Sequence, residues 1–112
     1  MEEKITAVYL LVWNSELLPE DGGDFERPLE KQKQEILAFL RQKDLEALSK
    51  VVFYRSRGDL FRDIERDRIA RLVVKDIGRL SADPKEMEGV LYELKMRTVE
   101  LWSVEKGGLV EI

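Results

Sequence analysis

Apolar positions in this chain follow two rhythms, and their alternation lays out its elements. Ile5 to Val12 (ITAVYLLV) is a mostly apolar run rich in β-formers, which predicts a strand buried on both faces. Val51 to Tyr54 and Ile69 to Val74 predict two further strands, and Val99 to Val104 a fourth. Between the first two strands, Leu29, Lys33, Ile36, Leu37 and Leu40 recur at helical spacing, with Lys33 contributing its aliphatic stem. Pro28 suits the start of that helix, where its missing N–H is not needed. The polar segment from Asn14 to Glu26, with Pro19 and Gly22-Gly23, reads as a loop. Asp44 to Ser49 fits either a last helical turn or a loop. Arg55 to Asp59 reads as a loop and Leu60 to Arg66 as a short helix. The clearest start signal is Asp83-Pro84-Lys85-Glu86, a capping box with proline at the first helical position. Met87, Val90, Leu91 and Leu94 continue that helix, and Gly107-Gly108 permits a turn into a short edge strand, Leu109 to Ile112.

Strands alternating with helices imply right-handed βαβ units. The expected fold is therefore three-layer α/β, a mainly parallel sheet with helices on both faces. In such sheets ligand chemistry gathers at the carboxyl ends of the strands, here Val12 to Ser15, Tyr54 to Gly58, Lys75 to Ala82 and Ser103 to Lys106. A length of 112 residues predicts one domain spanning 1–112. No apolar run approaches the roughly 20 residues of a membrane span. The start, Met1-Glu2-Glu3-Lys4, lacks the basic-then-apolar order of a secretory signal, so a cytoplasmic protein is expected.

Composition narrows the chemistry. Without Cys or His there is no disulfide, no thiolate or imidazole metal site and no histidine acid–base catalysis. The acidic loop (Glu16, Glu20, Asp21, Asp24, Glu26) lacks ligand-spaced positions around a turn glycine, so neither a metal nor another cofactor is expected. A net charge of −4 is the wrong sign for non-specific wrapping of nucleic acid. The charge is uneven, however. From Lys50 to Arg79 nine basic residues face five acidic ones, which leaves that stretch +4 and the rest of the chain −8.

Several strand ends carry family-like motifs. Tyr9-Leu10-Leu11-Val12-Trp13 stands where one would read Tyr-x-Arg-Val-Ser, and Leu29-Glu30-Lys31-Gln32 matches an opening Leu-Glu-x-Gln. Arg57-Gly58 followed by Arg62 parallels a Ser-Gly loop with a downstream arginine. Ile77-Gly78-Arg79-Leu80-Ser81-Ala82 parallels Leu-Asp-Arg-Leu-(Gly/Ser)-Arg, with a capped helix from Pro84 and a strand at Val99-Glu100-Leu101-Trp102 behind it. In these features the chain resembles the catalytic domain of serine recombinases, the resolvases and invertases. The likeness is most specific from Leu72 to Glu105. It implies strand order 2-1-3-4, with a possible antiparallel fifth strand.

The departures shape the expected function. In that family a serine at the end of the first strand attacks a DNA phosphate, and arginines stabilise the developing charge. The resemblance places Trp13 at the nucleophile position and Leu11 at the arginine two residues before it. Gly78 stands for the motif aspartate, Ala82 for its second arginine, and Arg55 for the acidic position after the second strand. Arg79 remains in register, Arg62 is the match to the upstream arginine, and Ser15 is the one candidate for a displaced nucleophile. The family's long dimerisation helix and DNA-binding domain have no counterpart within these 112 residues.

Gly22-Gly23-Asp24-Phe25 resembles the diguanylate cyclase signature, but the strand-helix-helix unit required before it is missing. Trp13 and Trp102 are expected to fill space left by deleted catalytic side chains. Arg62 with Asp59 and Arg66 with Asp63 have the spacing of surface ion pairs. The expected function is thus an inactive recombinase-like module linked to DNA recombination. It would work through self-association or a protein partner at Val99 to Ile112, with weak DNA binding at most. The alternative is an active recombinase, or another phosphodiester-transfer enzyme, that uses Ser15 with Arg62 and Arg79.

Overall fold

The computed structural model describes residues 3–112. Strands β1 (Ile5–Tyr9), β2 (Val51–Tyr54), β3 (Ile69–Val74), β4 (Glu100–Ser103) and β5 (Gly108–Val110) form one sheet of order β2-β1-β3-β4-β5. The first four strands are parallel and β5 runs antiparallel to β4, as the resemblance implies. Helix α1 (Glu26–Gln42) covers one face, where Ile36, Phe39 and Leu40 pack on Val8, Leu10 and Val73. Helices α2 (Arg57–Glu65) and α3 (Pro84–Met96) cover the other. There Leu60, Ile64, Val90 and Leu94 meet Ala7, Tyr9, Leu72, Val74 and Leu101. Successive β1 residues serve opposite layers, which is why this run is mostly apolar and does not alternate.

The element ends differ from expectation wherever a side chain takes over a backbone bond. The ladder of β1 stops at Tyr9, short of Val12, because β2 is used up when the Leu10 amide reaches the Tyr54 carbonyl (2.9 Å). Beyond it, Gln32 of α1 substitutes for a strand: its Oε1 accepts from the Leu11 amide at 3.0 Å and its Nε2 donates to the Leu11 carbonyl at 2.9 Å. Helix α1 starts at Glu26, two residues before Pro28, with the Glu26 amide donating to Asp24 at 2.9 Å. Pro28 is then the third helical residue, still among the first four that need no N–H partner. The buried stripe of α1 includes Gln32 and Phe39, while Leu29, Lys33 and Leu37 are only half-buried. The expected loop 14–26 contains two single 3₁₀ turns, Asn14–Glu16 and Pro19–Asp21.

Helix α2 begins at Arg57, inside the segment expected to be a loop, because the Ser56 hydroxyl accepts the Asp59 amide at 3.3 Å. Asp44 to Ser49 is not helical. α1 ends in a left-handed Asp44, and Leu45 donates back to the Leu40 carbonyl at 2.8 Å. At α3 half of the expected capping box is present. Asp83 accepts the Lys85 amide at 3.0 Å, but Glu86 is taken by Arg57 and the Asp83 amide turns to Ser81 at 3.1 Å. Strand β4 is shorter than expected because the Val99 amide caps α3, bonding the Leu94 carbonyl at 2.8 Å. Left-handed Gly107 (φ +73°) brings β5 in one residue early, at Gly108.

Candidate functional site

Two segments meet at the carboxyl ends of the central strands. The chain leaving β1 runs through Leu11 and Trp13 into the 3₁₀ turn Asn14–Glu16. The chain leaving β3 enters a second turn, Ile77–Arg79. This second turn carries Arg79 inward until it is only 5% exposed. There its Nη1 donates to the Leu11 carbonyl at 2.7 Å and to Glu16 Oε1, and its Nη2 donates to Glu16 Oε2 at 3.0 Å. Its Nε donates to Asp76 Oδ2 at 3.0 Å, and the Trp13 ring covers the guanidinium at 4.1 Å. The Leu11 carbonyl therefore accepts from both Gln32 and Arg79, so one knot ties α1, the exit of β1 and the exit of β3. Gly78 belongs to the same fit. A side chain there would meet Asp76 Oδ1 at 3.2 Å and the Trp13 ring at 3.9 Å.

The electrostatics of this knot favour full ionisation. The hydrogen bond from Arg79 outweighs partial burial and holds the Glu16 carboxyl below its ordinary value. Burial disfavours the Arg79 cation, but its bonds to Glu16 and Asp76 outweigh that and raise its pKa. A carboxylate whose pKa is depressed by folding contributes stability above its unfolded pKa and loses it as pH falls through the folded value. Trp13 stacked on Arg79 reports this contact. Its fluorescence is expected to stay constant from neutral pH down to the ordinary Glu range near about 4.3 and to change only below it. Glu16→Gln should remove that acid transition, and a transition unchanged in this variant would assign the titration elsewhere.

Leu11, Trp13, Gly78, Arg79 and Ala82 line one open cleft of about 250 Å³, together with Tyr9, Arg57 and Glu86. The positions mapped from the resemblance therefore do converge. The charge needed for phosphate does not. Arg79 is matched by Glu16 and Asp76, and Arg57 pairs with Glu86 while donating to the Leu80 carbonyl at 2.9 Å. Ser15 is exposed on the Asn14–Glu16 turn and does not line the cleft. Arg62 is exposed on α2 and pairs with Asp59 at 2.8 Å, the expected surface pair. The expected pair of Arg66 with Asp63 is not formed. Asp63 instead faces Arg68 at 3.8 Å and accepts the Tyr54 hydroxyl at 2.6 Å.

Much of the basic middle is neutralised in the same way: Arg55 meets Glu26 at 2.7 Å, Arg71 meets Glu100 at 3.3 Å and Lys75 meets Glu35 at 3.5 Å. Trp13 does not fill the core as expected. It is 42% exposed and lies on Arg79, whereas Trp102 is half-buried and edge-on to Phe39 at 6.4 Å. Glu16, Asp76 and Gln32 are the site residues that sequence reasoning missed. Only the three-residue spacing of Asp76 and Arg79 signalled any of these contacts.

Among the described residues no group of three or more carboxylates is arranged to hold a metal ion, and no helix is long and apolar enough to cross a membrane. Four of the five carboxylates of the acidic loop are otherwise engaged. Asp21 and Asp24 cap amides, and Glu16 and Glu26 pair with arginines.

The sequence matches no protein-family model and no curated protein. Solved structures do match it. The C-terminal catalytic domain of ISC1926 TnpA, an IS607-like serine recombinase, is similar with a TM-score of 0.66 and 17% identity over 88% of this chain and 68% of that one. A resolvase family site-specific recombinase from Streptococcus pneumoniae gives 0.64 and 19% over 96% and 76%. The N-terminal catalytic domain of TP901-1 integrase gives 0.59 and 14% over 93% and 79%. At these identities the likeness is one of fold: this chain has the architecture of serine recombinase catalytic domains.

Proposed function

We propose that this chain is a recombination-linked module that has lost DNA strand cleavage and acts through protein contacts. The observation that carries the reading is the state of Arg79. All three of its nitrogens are bonded within its own chain, and an aromatic ring lies on the guanidinium. A cation so matched offers little to a phosphodiester, and the position expected to hold the nucleophile is Trp13. The paired cations of the basic middle and the net charge of −4 also weigh against tight DNA binding, whose affinity comes mainly from neutralising phosphates.

The surface that would carry the protein contact is Val99 to Ile112. Its strand β5 is a sheet edge, with Leu109 51% and Ile112 39% exposed, beside an open apolar cleft of about 430 Å³. An exposed apolar edge strand is a template for pairing with another chain. Light scattering is expected to show a dimer that Leu109→Asp with Ile112→Asp reduces to monomer. These two positions test the contact because both are exposed, whereas Val110 packs against the core and its replacement would unfold the edge. A monodisperse wild-type monomer would remove self-association and leave only a partner of different sequence.

A further inference from the structure

We infer that a second cleft, on the α1 side of the same sheet end, binds a small phosphate-bearing molecule of nucleotide size. This inference does not depend on the function proposed above. In an open parallel sheet the crevice for a ligand lies where successive crossovers leave a strand on opposite sides, outside the carboxyl ends. Here that point lies between β1 and β3, because α1 carries the chain from β1 to β2 over one face and α3 carries it from β3 to β4 over the other. The knot around Arg79 divides this crevice in two. The α3 side holds the cleft already described. The α1 side holds a more enclosed one of about 380 Å³, within the range of small-ligand sites.

The lining of this cleft separates into a cationic part and an apolar part. Arg27 and Lys31 stand four residues apart on α1, and Lys75 faces them from the end of β3. Three carboxylates also line it, but each is committed. Glu16 holds Arg79, Asp21 accepts the Leu18 amide at 2.8 Å, and Glu35 meets Lys75 at 3.5 Å. Among the described residues neither Arg27 nor Lys31 has an ion-pair partner. Two unpaired cations one turn apart on α1 therefore offer donors to a phosphate, while Lys75 across from them is held by Glu35.

At the start of α1, Asp24 takes the Glu26 amide, Pro28 has none, and the Leu29 amide bonds the Phe25 carbonyl. The phosphate would rest on side chains. Val12, Leu18 and Pro28 supply the apolar part, and Leu18 is 55% exposed at the cleft with nothing of its own chain to cover it fully. A ligand with a phosphate at one end and a flat, weakly polar body at the other satisfies both parts. A free nucleotide has that form, and the segment from Glu16 to Asp21 would lie along its body.

The test is calorimetric titration of the whole chain with each of the four 5′-ribonucleoside monophosphates, with inorganic phosphate, and with a short single-stranded oligonucleotide. At least one monophosphate is expected to bind saturably, and more tightly than inorganic phosphate. Arg27→Glu with Lys31→Glu is expected to weaken it by about tenfold or more, the loss of roughly one good charged contact. Leu18→Ala should weaken the nucleotide and leave inorganic phosphate unchanged. Arg41→Ala, on the same helix but paired with Glu46 away from the cleft, should change neither. All these positions are exposed, and circular dichroism with a thermal melt checks that each variant is folded. Absence of saturable binding at millimolar ligand, binding that survives the double charge reversal, or phosphate binding as well as the nucleotide would each overturn the inference. An oligonucleotide that binds more tightly than any monophosphate and is lost in the same variant would replace it with a nucleic-acid site.

Discussion

Incubated with nicked or suicide DNA substrates, the protein is expected to form no covalent protein–DNA adduct. The resemblance needs a serine at position 13 and arginines at 11 and 82, and the chain has Trp13, Leu11 and Ala82. Each charge-stabilising donor removed from such a site costs about 10²–10³ in rate. Losing two of them, with the nucleophile also gone, places cleavage below detection. Restoring a serine would not be enough. Trp13→Ser would still leave Arg79 bonded to Glu16 and Asp76, so this variant is also expected to remain inactive. The remaining route to activity is Ser15, which is exposed and outside the cleft that holds Arg79. A trapped adduct that disappears in Ser15→Ala would overturn the proposed loss of cleavage. It would require the 14–16 turn to rearrange on DNA.

Arg79→Ala is expected to destabilise the protein by about 3 kcal/mol in urea denaturation, more than any other single arginine replacement. Removing one member of a buried ion pair costs about 3–5 kcal/mol, because the remaining charge has no partner. The lower end applies here, since Glu16 and Asp76 are each partly open to water. Without the guanidinium the two carboxylates lose their shared cation, the Leu11 carbonyl keeps only Gln32, and Trp13 loses its support. Arg79→Lys should recover only part of the loss, because an ammonium cannot make the bidentate contact to Glu16. Arg62→Ala serves as the comparison. Its pair with Asp59 is exposed on both sides and is expected to be worth less than about 1 kcal/mol. Equal effects of the two replacements would show that the knot around Arg79 does not hold the strand ends together.

The layers were legible in the amino-acid sequence because they depend on local periodicity, whereas the strand order came from the resemblance to serine recombinases. A mostly apolar run rich in β-formers such as Ile5 to Val12 points to a strand buried on both faces, and the start at Asp83-Pro84 needs no tertiary partner to be recognised. The same locality explains the errors at element ends. Ser56 caps α2 through a bond to Asp59 three residues away, a local signal inside the segment that reads as a loop. The end of β1 could not be read locally at all, because Gln32, twenty-one residues on, takes both bonding groups of Leu11.

The candidate site divides in the same way. Its position at the carboxyl ends of the strands followed from the α/β pattern, and the set Leu11, Trp13, Gly78, Arg79 and Ala82 from the resemblance. The condition of that site did not. Whether Arg79 is a free phosphate ligand or a buried strut depends on Glu16, sixty-three residues away, and on the ring of Trp13. A sequence states which charges exist, and short spacings such as Asp76 to Arg79 suggest some pairs. A charge's availability is set by burial and by partners brought from other elements, and those arise only when the βαβ crossovers bring the ends of β1 and β3 together.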